Sequence, residues 1–167
     1  DFGATVVRVE SSKRIETGRT IGPFHDGVPG PESSGIFLNM NTDKYGITLD
    51  MTTDEGKDVV RDLVRWADIV TESFSPRAMR NWGLGYEQLR EIKPDLIMLS
   101  TCLFGQTGPY SEIAGFGTMG SAISGFVNLG GDKDGPPVGP FGAYTDYVAP
   151  RFTVAALMAA LDHRNRT

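Results

Sequence analysis

Ile47-Thr48-Leu49-Asp50, then Thr52-Thr53-Asp54-Glu55 leading Val60, Leu63, Val64 and Ala67, then Asp68-Ile69-Val70-Thr71-Glu72, is the stretch that decides the fold. The first run is extended and rich in β-formers. Thr52 through Glu55 has the pattern of a capping box, and the four apolar residues behind it recur at i, i+3, i+4 and i+7, one face of a helix. The third run is extended again. A strand, a helix and a strand in close succession read as a parallel crossover, because parallel neighbours need a long connection between them.

The same alternation continues on both sides. Upstream, Thr5-Val6-Val7-Arg8-Val9-Glu10 is a β-branched run. Downstream, Tyr86, Leu89 and Ile92 mark a short helix stopped by Pro94, and Leu96-Ile97-Met98-Leu99-Ser100-Thr101 is a fourth extended run, apolar at both alternations and so buried on both faces. Val154, Leu157, Met158 and Leu161 mark the apolar face of a helix running to the end of the chain. The expected architecture is a parallel α/β sheet with flanking helices in one domain over residues 1–167.

Two stretches break the alternation. Ser11 to Ser34 is rich in Gly, Pro and charge without a sustained period, and reads as a long surface loop. Phe104 to Gly142 is glycine-rich, with one helix expected around Met119 to Leu129. It follows a strand directly, and ligands of open α/β sheets bind outside the carboxyl ends of the strands. Within it, Gly115-Phe116-Gly117-Thr118-Met119-Gly120 matches the dinucleotide fingerprint literally. The fingerprint needs a strand immediately before it and an acid about 20 residues on. Ser111-Glu112-Ile113-Ala114 reads as loop instead, so nicotinamide binding is set aside.

A net charge of −5 without a basic stripe argues against a nucleic-acid partner. No apolar run approaches a membrane span. Cys102 is the sole cysteine, which suits a reducing compartment and makes the cytoplasm the default location. His25 and His163 belong to no metal-spaced cluster, so no metal is expected; His163, with Arg164 and Arg166, complements the end of the last helix. Asp132-Lys133-Asp134-Gly135 reads as a turn. The chain opens on Asp1-Phe2-Gly3-Ala4 without an initiator Met, as if midway through a helix-to-strand connection, and reads as a piece of a longer protein.

Asp146 stands in Tyr144-Thr145-Asp146-Tyr147-Val148-Ala149-Pro150, between the glycine-rich stretch and the last helix. Position alone favours a helix cap, since Asp accepts hydrogen bonds from free backbone N–H groups there. The same position suits a nucleophile, because the positive end of a helix favours the ionised form and the ionised form attacks.

A set of motifs in fixed order extends across nearly the whole chain: Thr5 to Glu10, Asn41 to Asp50, Ala67 to Phe74, Leu84-Gly85-Tyr86-Glu87-Gln88-Leu89, Phe104-Gly105-Gln106-Thr107-Gly108-Pro109, Ser124-Gly125, Asp134-Gly135-Pro136-Pro137 and Ala159 to Arg164. This set resembles the family III CoA-transferases, a group that includes formyl-CoA, carnitine and benzylsuccinate CoA-transferases. The resemblance implies an incomplete Rossmann-like large domain, and a reaction that moves CoA from an acyl-CoA donor to a free carboxylic acid. CoA is then a substrate, with no permanently bound cofactor. Asp146, 17 residues before His163, keeps the family's nucleophile spacing. The family's interlocked dimers imply a homodimer, or a subunit of a heteromeric transferase for aromatic or dicarboxylic acids; a non-catalytic partner subunit is the alternative.

The resemblance carries Leu49, Asp50, Met51 and Thr52, Ser73, Phe74 and Ser75, and Arg80 or Asn81 as CoA contacts. Several positions depart from the family's pattern. Ser11 and Ser73 replace its usual Arg and Asn, and Pro150-Arg151 stands where it has Gly, so that the last helix is expected to start at Pro150 with Asp146 in the turn before it. Gly115-Phe116-Gly117 occupies the place of the Gly-His-Asp of acyl-CoA racemases. Without that His, a two-base racemase is disfavoured.

Overall fold

The computed structural model describes residues 3–167, and Asp1 and Phe2, where the chain was read as entering a connection, lie outside the described residues. Two compact units follow one another, one up to Val60 and one from Arg61, the division falling inside a helix.

In the first unit, β1 (Val7–Glu10) pairs in parallel with β2 (Tyr45–Thr48), in a register running from Val7 opposite Tyr45 to Glu10 opposite Thr48. The second extended run was expected over Ile47–Asp50. The Leu49 N–H still bonds the Glu10 carbonyl at 2.8 Å, but Asp50 turns the chain. Its carboxylate accepts from the Thr52 N–H (3.0 Å) and hydroxyl (2.7 Å), a local bond that competes with the ladder. Helix α2 (Asp54–Trp66) follows. Thr53 rather than Thr52 caps it, accepting from the Gly56 N–H at 3.1 Å, and Gly56 has no side chain to close the expected reciprocal box.

Helix α1 (Gly35–Met40) was not expected. Ser34, fully buried, is its cap and accepts from the Phe37 N–H, while its hydroxyl lies 2.7 Å from the carbonyls of Gly18 and Ile21. The loop from Ser11 to Ser34 contains two 3-10 turns, Thr17–Thr20 and His25–Gly27. Arg19 organises it. Its guanidinium makes a fork to Glu10 (2.8 and 2.9 Å), bonds Glu32 and the Pro31 carbonyl, and stacks 3.6 Å over the Phe37 ring. Arg19 thereby holds the Glu10 carboxyl below its ordinary range.

In the second unit, β3 (Ile69–Glu72) pairs in parallel with β4 (Ile97–Ser100), Ile69 opposite Ile97 and Glu72 opposite Ser100. The four strands thus fall in two two-stranded parallel sheets; β2 and β3, which flank α2 and were read as a parallel crossover, are not paired with each other, because each takes its partner from the other side of the chain, β1 and β4. Val64, Met79, Leu84, Leu89 and Leu96 form the core, and burial of a leucine such as Leu89 contributes about 2 kcal/mol. Helix α3 (Pro76–Trp82) was not expected. Pro76 opens it, and Gly83 closes it at φ 67°, a left-handed geometry that favours glycine. Helix α4 (Tyr86–Ile92) is the short helix that Pro94 was expected to end.

The helix expected around Met119 to Leu129 is two helices, α5 (Gly117–Ile123) and α6 (Phe126–Leu129), because Gly125 turns between them at φ 86°. Helix α7 (Tyr144–Arg166) is 23 residues long and buries none of them fully; Val154 and Met158 of its apolar face are exposed. His163, Arg164 and Arg166 lie in its last turn, and Arg164 ties that end to Asp68 at 2.9 Å. Among the described residues, no helix is long and apolar enough to cross a membrane.

Candidate active site

Helix α7 starts at Tyr144, not at Pro150, and this corrects the expected place of Asp146. Ala143 takes the cap position without a side-chain bond, and the Asp146 N–H bonds the Ala143 carbonyl at 2.9 Å. Asp146 is therefore an acid in the first helical turn, where negative charge is stabilised, and its carboxylate is not the cap. Pro150 lies inside the helix. Having no N–H, it leaves the Asp146 carbonyl without the donor that position i+4 would supply.

The carboxylate of Asp146 is exposed and, among the described residues, joins no ion pair. One side of it is walled by backbone. A Cβ added to Gly117, the first residue of α5, would stand 2.8 Å from Asp146 Oδ1, 2.9 Å from its Cγ and 2.8 Å from Thr145 Oγ1. The Thr145 hydroxyl donates to the Gly117 carbonyl at 3.2 Å and so fastens the first turn of α7 to α5. At Gly120 a Cβ would meet Thr145 Oγ1 and Leu103 Cδ1, each at 3.1 Å. The glycines that imitate a dinucleotide fingerprint thus serve close helix packing, and no strand immediately precedes them. Sequence reading matched Gly117 to the acid of the racemase Gly-His-Asp, but gave Thr145 and Gly120 no part in this site and did not foresee the contact of Gly117 with Asp146. The signal available was a glycine spacing that failed the dinucleotide fingerprint.

The residues read as CoA contacts form two groups. Leu49 to Thr52 make the turn from β2 to α2 in the first unit. There Lys13 pairs with Asp50 at 2.5 Å and, together with Thr52, lowers the Asp50 pKa to about 2. An open cavity of about 310 Å³ lies at the carboxyl ends of β1 and β2, its lining including Glu10, Ser11, Ser12, Arg19 and Thr48. In the second unit, Ser73 to Ser75 make the exposed turn from β3 to α3, with the Phe74 ring edge-on to Trp82 at 5.1 Å. Arg80 and Asn81 are exposed on α3, and the Arg80 guanidinium is engaged by Glu112 at 3.1 Å. Among the described residues, no group of three or more His, Cys, Asp or Glu could hold a metal ion.

An exposed, unpaired carboxylate beside a side-chain-free wall can approach an electrophilic carbonyl. The chain is 38% identical over 169 residues to the succinate–glutarate CoA-transferase of Agrobacterium fabrum, covering 100% of this chain and 42% of that protein. It is 34% identical over 170 residues to the succinyl-CoA–L-malate CoA-transferase beta subunit of Chloroflexus aurantiacus, covering 100% of this chain and 40% of the relative. The chain therefore spans about two fifths of the length of these curated relatives. A crystal structure of a CAIB/BAIF family protein from Brucella suis superimposes with a TM-score of 0.89 at 38% identity, covering 99% of this chain and 44% of that one. The model of CoA-transferase family III matches residues 1–167, and the chain belongs to that family.

Proposed function

We propose that this chain carries the nucleophile of a CoA-transferase that moves CoA from an acyl-CoA donor to a free carboxylic acid, and that residues 1–167 are part of its large domain. The observation that carries the reading is the Asp146 carboxylate, exposed and unpaired in the first turn of α7, with no side chain on the Gly117 side.

An Asp146 oxygen attacks the thioester carbon, the C–S bond breaks, and CoA leaves as a thiolate, giving a mixed anhydride. The thiolate attacks the aspartyl carbonyl carbon, which releases the donor acid and leaves an aspartyl-CoA thioester. The acceptor carboxylate attacks that thioester carbon and expels the thiolate. The thiolate then takes the acceptor acyl group and returns Asp146 as carboxylate. No net charge or proton is consumed, so a site without histidine suffices. Leu49 to Thr52, Ser73 to Ser75 and Arg80 or Asn81 are the proposed CoA contacts, in a dimer or in a heteromeric complex. The names of the relatives support a dicarboxylic acceptor and succinyl-CoA as donor.

The relative that is a beta subunit supports a second reading, a partner subunit of a heteromeric transferase in which Asp146 only stabilises the first turn of α7. Hydroxylamine trapping separates the two. Full-length protein incubated with succinyl-CoA and hydroxylamine should yield a hydroxamate on Asp146 by mass spectrometry, and Asp146→Asn should lower turnover at least about a thousandfold. An unmodified Asp146 across a panel of acyl-CoA donors, with Asp146→Asn as active as wild type, would establish the second reading instead.

A further inference from the structure

We infer that Glu72 is a positioning residue for acyl-CoA: its buried carboxylate fixes the Ser73–Ser75 turn, an inference that rests on the CoA contacts proposed above. Glu72 is the last residue of β3 and only 8% exposed. Its Oε2 accepts from the Phe74 N–H at 2.7 Å, and its Oε1 lies 3.4 Å from Gln106 Nε2. The Glu72 carbonyl accepts from the Thr101 N–H (2.9 Å) and hydroxyl (3.2 Å) at the end of β4. One residue therefore joins the two chain segments that leave the carboxyl ends of the paired strands, where open α/β sheets take their ligands.

Burying a carboxylate is costly unless it is hydrogen-bonded, and among the described residues no Lys or Arg pairs with Glu72. An apolar residue of similar volume would serve packing at least as well. What the carboxylate adds is direction. A bond from its side chain to the N–H two residues on bends the backbone as it leaves β3, with Ser73, Phe74 and Ser75 exposed. A turn held in this way before the ligand arrives loses less entropy on binding.

The test uses the full-length protein with Glu72→Met, which keeps the volume and removes both acceptors, and Glu72→Gln, whose amide oxygen can still accept from Phe74. Hydrogen exchange of the segment holding residues 73–75 is followed with and without CoA, together with KM for succinyl-CoA, kcat and the Asp146 hydroxamate. CoA should protect the segment in wild type. Glu72→Met should speed its exchange, raise KM roughly tenfold, the loss of about one hydrogen bond to a charged group, and change kcat by less than about threefold. Glu72→Gln should recover most of KM. A KM for Glu72→Met within about twofold of wild type, with CoA protection of the segment intact, overturns the role of Glu72 and leaves the CoA contacts standing. Lack of CoA protection in wild type, while Asp146 still forms the hydroxamate, removes the proposed contacts at 73–75 and the inference with them.

Discussion

The loops Ser11–Ser34 and Phe104–Gly142 look alike as sequence, both aperiodic and rich in Gly and Pro, yet they are held by opposite means. The first is organised by charge. Arg19 reaches Glu10, Glu32, the Pro31 carbonyl and the Phe37 ring, and Ser34 pins the loop to the start of α1. The second is organised by the absence of side chains, since Gly117 and Gly120 let α5 meet Thr145, Asp146 and Leu103 at distances that a Cβ would close. A charge-held loop responds to pH and to loss of a partner. A loop held by close backbone approach responds to added volume, and here that volume would fall on the carboxylate proposed to react.

The strongest test of that contrast is Gly117→Ala. The atoms its Cβ meets are mainly the movable ends of Asp146 and Thr145, so they can rotate aside at a stability cost below about 1 kcal/mol. Displacing a reacting group by about 1 Å can still cost about a hundredfold in rate. We expect turnover to fall between about tenfold and a hundredfold with the melting temperature nearly unchanged; unaltered turnover would mean that the wall is packing alone.

Arg19→Met is the matching test of the other loop. It leaves Glu10, whose side chain is 17% exposed, without its main partner, and we expect about 2 kcal/mol lower unfolding stability by denaturant titration. Equal stability would show that Ser34 holds the loop by itself.

Acid should act on the same loop. The folded-state pKa of Glu10 lies below its ordinary 4.5, so the stabilisation is complete above about that pH and is lost as pH falls through the folded value. Asp50, held by Lys13 and Thr52, should follow between 3.8 and about 2. Hydrogen exchange around Arg19 should rise in this range before exchange around Gly117 does.

The smallest expected effect is that of Gly125→Ala. Nothing lies within 4 Å of the added Cβ, so only the left-handed backbone at φ 86° opposes it, at about 1 kcal/mol.

Much of the fold was legible from periodicity. The four strands, α2, α4 and α7 all carry several apolar residues at a fixed spacing. Helices α1 and α3 have six and seven residues; Ile36, Phe37, Leu38 and Met40 make α1 a nearly continuous apolar run without helical spacing, and α3 is too short for a sustained period. For α3 the punctuation was present, Pro76 at its first position and Gly83 just past its end, but without a sustained pattern it reads as loop. Thr52 matched the capping box and Thr53 makes the bond, because Asp50 occupies the Thr52 hydroxyl and shifts the first turn by one residue.

The sequence singled out Asp146 as a candidate, and its setting was not legible there. Pro150 was read as a helix start, since proline is disfavoured inside helices, but α7 carries it internally and begins at Tyr144. Chain order alone determined the parallel α/β class, the family, and which carboxylate to examine, because these depend on local periodicity and on residue identity at fixed spacing. Only the tertiary structure decided that Asp146 rests against Gly117, that Glu72 is buried between two strand exits, and that Arg19 governs the first loop. Each of these joins residues separated by nine or more positions, and which pairs meet is set by packing and burial, quantities that no local pattern encodes.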